Sequence, residues 1–159
     1  MSRERTVLRH LVATIAYRGA KVLRDAPPGF ASTTAGSGTR TAVEILAHVG
    51  DHFDWARTSA ADEEERRRDV ARDDWDAQVE RFFAGLGAVD AHLASDEPIA
   101  RSPLRLVQGP LADTLTHIGQ LALLRRIAGS PVRGENYFRA EVEAGRTGRE
   151  QAGPREEFE

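Results

Sequence analysis

The sequence predicts an all-α, four-helix bundle, and three observations carry that prediction. Four segments space their apolar residues three and four apart, the period of a helix with one buried face. No stretch alternates apolar and polar residues for more than four positions, as a half-buried strand would. Each segment runs to ~18–22 residues and so spans ~27–33 Å, which gives the matched lengths that a bundle needs.

The first helix is expected from about Arg3 to Arg24, with Val7, Leu8, Leu11, Val12, Ile15 and Leu23 on its apolar stripe. Asp25-Ala26-Pro27-Pro28-Gly29 ends it. After a Gly/Ser/Thr-rich stretch, Thr41 and Glu44 have the spacing of a capping box and open the second helix. Val43, Ile45, Leu46, Val49, Phe53 and Trp55 carry that helix to about Ser59. The charged run that follows offers Asp62–Arg66, Glu63–Arg67 and Glu64–Arg68 as favourable i, i+4 pairs. It reads as a solvated turn or helix end. The third helix runs from about Asp74 to Ser95 on a stripe of Trp75, Val79, Phe82, Phe83, Leu86 and Leu93. Residues 99–108 fit either a short helical turn or extended chain. The fourth helix is expected to open at Pro110, because proline suits a first helical turn, and to stop near Gly129. Beyond it, ENYFRAEVEAG is expected to add a short C-terminal helix. Residues 1–145 then form one domain, and 146–159 a polar tail, mobile or laid on the surface.

The chain has 159 residues, 40% of them hydrophobic, enough for one domain with a real core. Its net charge of −3 argues against nucleic acid as a partner, since such affinity comes largely from neutralised phosphates. The absence of cysteine excludes disulfides, thiolate metal ligands and a cysteine nucleophile. No apolar run reaches the ~18–20 residues of a membrane span. Arg9 and His10 interrupt the apolar stretch that a signal peptide needs, so the cytoplasm is the expected location.

The segment DTLTHIGQ, residues 113–120, is the most informative in the chain. Asp113 and His117 stand four apart on an apolar helix, so they stack on one face and can reach one ion. His48 and His52 repeat that spacing on the second helix. Inward-aimed pairs on two helices are how bundles build metal sites, and an imidazole–carboxylate set suits zinc, nickel or ferrous iron.

The LAHV of the second helix and the THIGQLALLRR of the fourth resemble the DinB/YfiT-like metalloenzymes. The resemblance covers most of the chain. It implies a four-helix bundle holding one divalent metal by three histidines, one from the second helix and an H-x-x-x-H pair from the fourth. His48 matches the first of these and His117 the last. Asp113 stands where the family has the other histidine, so the implied ligand set is His48, Asp113 and His117. His52 is then an extra ligand or a partner that bonds and orients one, and Gln120 a neighbour that bonds a ligand or a carbonyl. Relatives that use small-molecule thiols imply a metal-dependent thiol transferase, or a hydrolase, acting on a small molecule. A low-molecular-weight thiol is then a second cofactor, and a homodimer the implied assembly. The alternative is a non-catalytic bundle without metal, in which Asp113 and His117 simply hydrogen-bond.

Other residues have smaller claims. Arg125 closes the fourth helix, where a cation suits the dipole, and is a candidate for anion binding in a pocket. Asn136 and Tyr137 are placed to fold over the open end of the bundle, with Tyr137 covering the site. His10 is expected at the surface or core boundary, and His92 exposed.

Overall fold

The structure, a computed structural model, describes residues 1–63 and 71–159. The pairs Asp62–Arg66, Glu63–Arg67 and Glu64–Arg68 therefore lie outside the described residues. Four long helices dominate: α1 (Arg3–Leu23), α2 (Ala42–Ala61), α3 (Trp75–Ala94) and α5 (Ala112–Ile127), with a short α4 (Pro103–Leu106) between the last two. None is long and apolar enough to cross a membrane.

Side-chain chemistry marks the helix starts. Ser2 Oγ accepts from Arg5 N, and Asp74 Oδ1 accepts from Ala77 N. At Thr41 both arms of the capping box form: Thr41 N donates to Glu44 Oε2 at 2.8 Å and Thr41 Oγ1 accepts from Glu44 N. Each such cap stabilises a helix by ~1 kcal/mol. Gly129, at φ 74°, follows the end of α5 in the left-handed conformation that stops it.

The long helices pack as a closed ring: α1 touches α3 and α5, and α2 touches the same two. Val12, Ile15, Leu46, Val49, Phe53, Phe82, Leu86 and Leu121 fill the interior. Phe82 meets Phe53 and Phe83 edge-on at 5.4 and 5.0 Å. The approach of α1 to α3 depends on Gly19, where a Cβ would stand 2.2 Å from Phe82 Cζ. Charged side chains tie the helices together around this core. Arg9 grips Asp90 through two bonds of 2.8 and 2.9 Å. Arg81 of α3 reaches Asp51, Asp54 and the Ala47 carbonyl of α2.

Several expectations change. The break before the fourth long helix falls at Gly109 (φ −93°, ψ −107°), directly before Pro110 as expected, but Val107–Leu111 form a wide π-type turn across that kink before the regular α5 begins at Ala112. The ambiguous stretch before it holds α4. Trp55 is 44% exposed rather than part of the core, its indole lying over the Gly109 kink. Val7 is also exposed. His10 is exposed as expected, but His92 is half-buried, with a buried Nε2 that has no hydrogen-bond partner among the described residues.

No C-terminal helix forms at ENYFRAEVEAG. Gly134–Glu135 instead pairs antiparallel with Glu157–Phe158, and Tyr137–Arg139 makes one tight turn capped by Asn136. The reason is non-local. Tyr17 Oη donates to Glu135 Oε1 at 2.6 Å, and Lys21 Nζ bridges Glu135 and Glu157 at 2.8 and 2.7 Å. A buried carboxylate held by α1 outweighs helix propensity. The same bonds lay the end of the polar tail against the bundle.

Candidate metal centre

The kink before α5 and the capping box before α2 set the registers of two helices whose faces meet inside one end of the bundle. Along α2, His48 and His52 are one turn apart, with ring centres 4.4 Å from each other. The His117 ring of α5 lies 5.0 Å from His48 and 5.4 Å from His52. Asp113, one turn before His117, completes the group. Its Oδ2 is 3.2 Å from His52 Nε2 and its Oδ1 is 3.7 Å from His117 Nε2. Each of the four residues has one donor atom within 4.8 Å of the donors of all the others.

That spacing can be tested against an ion. Four atoms at the corners of a tetrahedron with such edges lie no more than roughly 2.9 Å from its centre, against ~2.0–2.2 Å for zinc–nitrogen and zinc–oxygen bonds. Side-chain rotations that move each atom by less than about 1 Å close the difference. The helices need not move.

The hydrogen bonds around the cluster say which atoms are available. Thr114 Oγ1 gives its proton to the Pro110 carbonyl at 2.8 Å, so toward His52 Nδ1, 3.4 Å away, it can only accept. Gln120 Oε1 accepts from His117 Nδ1 at 2.7 Å. A neutral ring at either position therefore carries its proton on Nδ1 and turns Nε2 toward the Asp113 carboxylate. Lone pairs facing an anionic oxygen at these distances repel unless a proton or a cation lies between them. Protonation is disfavoured at His52: burial, reinforced by the nearby His48, lowers its pKa from 6.5 to about 4 despite the attraction of Asp113. Burial also lowers the pKa of His48, with the charge of Arg40 acting the same way. Three neutral imidazoles and one carboxylate form a donor set of charge −1, which a divalent cation satisfies. The residues present fit such an ion.

Burial is uneven around the group. His52 and His117 are buried and His48 is half-buried, whereas the Asp113 side chain is 48% exposed. On α2, Asp51 takes bonds from Arg72 and Arg81. Burial pushes its carboxyl up, but these two partners more than offset this and hold it below the usual range.

Of the residues singled out from the sequence, the structure brings together His48, His52, Asp113 and His117, with Gln120 bonded to His117. Tyr137 and Arg125 are not part of this group. Tyr137 packs on α1, edge-on to Tyr17 at 6.4 Å and under the Arg18 guanidinium at 4.4 Å. Arg125 is buried and bonds the carbonyls of Val22, Arg24 and Ser130, tying α5 to the end of α1. These bonds commit its guanidinium away from the imidazole cluster. Sequence reasoning missed Thr114, whose only signal is its place between Asp113 and His117. It also missed Arg40, whose only signal is its position just before the capping box.

No family model matches the chain, and no curated protein or solved structure is significantly similar to it.

Proposed function

We propose that this chain is a metal-binding protein of the DinB-like kind, holding one divalent ion between α2 and α5. His48, Asp113 and His117 are its ligands, and His52 is a fourth. The observation that carries this reading is the convergence of three imidazoles and one carboxylate, with donor atoms within 4.8 Å of one another. Zinc, nickel and ferrous iron all suit the set. Gln120 and Thr114 fix the ring orientations, as outer partners of ligating histidines do.

A divalent ion there, with a fifth coordination position open to a small molecule, would supply Lewis acidity, which favours the anionic form of a bound thiol or water near neutral pH. The reaction class we infer is thiol transfer, or hydrolysis, on a small molecule. The chain has no cysteine, so a low-molecular-weight thiol has to come from outside. The half-exposed side of Asp113 is the side open to small molecules. Cytoplasmic residence and a homodimer belong to the same reading. The exposed Val7 on α1 and Leu104 on α4 leave apolar surface for a second copy, which light scattering would detect.

Elemental analysis of protein isolated without chelator tests the proposal. About one zinc, nickel or iron per chain is expected, together with a rise in melting temperature when the ion is restored to stripped protein. Less than ~0.1 ion per chain with no such rise overturns it.

A further inference from the structure

A cleft of about 280 Å³ opens beside the imidazole cluster, between the loop at 33–41 and α5. Ile45, Leu123 and Leu124 line it with apolar surface, His117 and Gln120 connect it to the cluster, and Arg40 supplies a cation. Arg40 is exposed, and among the described residues it forms no hydrogen bond or ion pair. Its charge is felt at His48 and at Glu44, so it stands close to the second helix of the site. Glu44 does not occupy it, because that carboxylate is spent on Thr41 in the capping box.

An uncommitted guanidinium at one point of a small apolar cleft, with a ligand-bearing helix along another, has the layout of a subsite for an amphipathic anion. Such clefts gain affinity from apolar walls and orientation from a few placed polar groups. Guanidinium pairs with carboxylate through two parallel bonds and so fixes direction as well as charge. We infer that this cleft binds a small aliphatic carboxylic acid, its carboxylate on Arg40 and its chain along Ile45, Leu123 and Leu124. This deepens the metal-centre reading by naming the substrate class. The binding step does not need the ion; only the reaction rests on it.

Hexanoate is a suitable probe, with hexanol as the uncharged control. Methyl resonances of Ile45, Leu123 and Leu124 report occupancy, in chelator-stripped and in zinc-loaded protein. Hexanoate should shift those methyls in both forms and bind at least ~10-fold more tightly than hexanol, the weight of one charge-assisted pair. Arg40→Gln should bring hexanoate down to the level of hexanol, and Arg40→Lys should recover part of the loss. A carboxylate that bound the ion instead would respond to stripping and not to Arg40→Gln, and that result overturns the assignment. So does an Arg40→Gln protein that keeps hexanoate affinity within twofold, or shifts confined to other methyls. The two readings fail separately. Chains that load zinc but ignore hexanoate sink the cleft alone, and chains that bind hexanoate through Arg40 but never hold an ion sink the metal centre alone.

Discussion

Gln120→Leu isolates the orienting bond from the ligands themselves. Gln120 Oε1 lies 2.7 Å from His117 Nδ1, on an exposed turn of α5. Leucine keeps the helix propensity and most of the volume but removes the acceptor. His117 is then free to flip or change tautomer, and its Nε2 is no longer held bare toward Asp113. Loss of such an outer partner typically costs 10–100-fold in metal affinity, or ~1.4–2.7 kcal/mol. For the wild type, an ion at 100 times its Kd adds ~2.7 kcal/mol of stability. In a domain of this size that is a gain of roughly 5–11 °C in Tm. With the variant at the same ion concentration, the added stability falls to ~0.4–1.4 kcal/mol and the gain to roughly 1–6 °C. Competition against a chromogenic chelator gives the affinity directly, and thermal melts with and without zinc give the shift. The melting temperature without metal should hardly change. Gln120→Glu should tighten binding, because a carboxylate on Nδ1–H makes the imidazole a better donor. Unchanged zinc affinity in Gln120→Leu, within threefold, would refute the argument that this bond sets the tautomer.

Three further outcomes are expected. Gly19→Ala puts a methyl 2.2 Å from the buried Phe82 ring and should cost about 1–3 kcal/mol in urea unfolding; a neutral result would show that α1 and α3 can separate at no cost. Arg125→Met removes bonds to two carbonyls at the end of α1 and one just beyond α5, and should destabilise by about 2–3 kcal/mol while leaving zinc stoichiometry intact; lost zinc with full stability would contradict its placement away from the cluster. His52 has its pKa lowered to about 4 in the fold from 6.5, so the unfolded chain takes up the proton first as pH falls. The stability it contributes is complete above pH 6.5 and lost toward pH 4; stripped protein should therefore be about 2 kcal/mol less stable at pH 5 than at pH 7 on this residue's account. Urea titrations against His52→Asn measure that difference, and parallel pH profiles for the two proteins would count against a buried neutral ring.

What could be read from the sequence was what depends on near neighbours along the chain. The Thr41–Glu44 box and the i, i+4 pairing of His48 with His52 and of Asp113 with His117 are local patterns, and the structure contains each of them. That the two pairs face each other required the registers of both helices, which periodicity alone suggests but does not set. From the sequence His52 has only a secondary role, because its distance from Asp113 depends on the packing of α2 against α5. The residues misplaced were those whose partners are remote in sequence. Glu135 is drawn out of a helical pattern by Tyr17 and Lys21, and Arg125 is taken up by carbonyls of Val22 and Arg24. Trp55 follows the apolar stripe of its helix but lies at the rim, where the Gly109 kink takes its ring.

The unequal exposure of the four donors has a kinetic consequence. With His52 and His117 buried, His48 half-buried and the Asp113 side chain the most exposed of the four, an ion entering or leaving such a site would meet the carboxylate first. Chelators must then compete at the carboxylate before they can strip the rings, so exchange should be slow relative to affinity. A chain loaded during folding would keep the ion it first met, and the metal found in purified protein would reflect what the host cell supplied as much as what the site prefers.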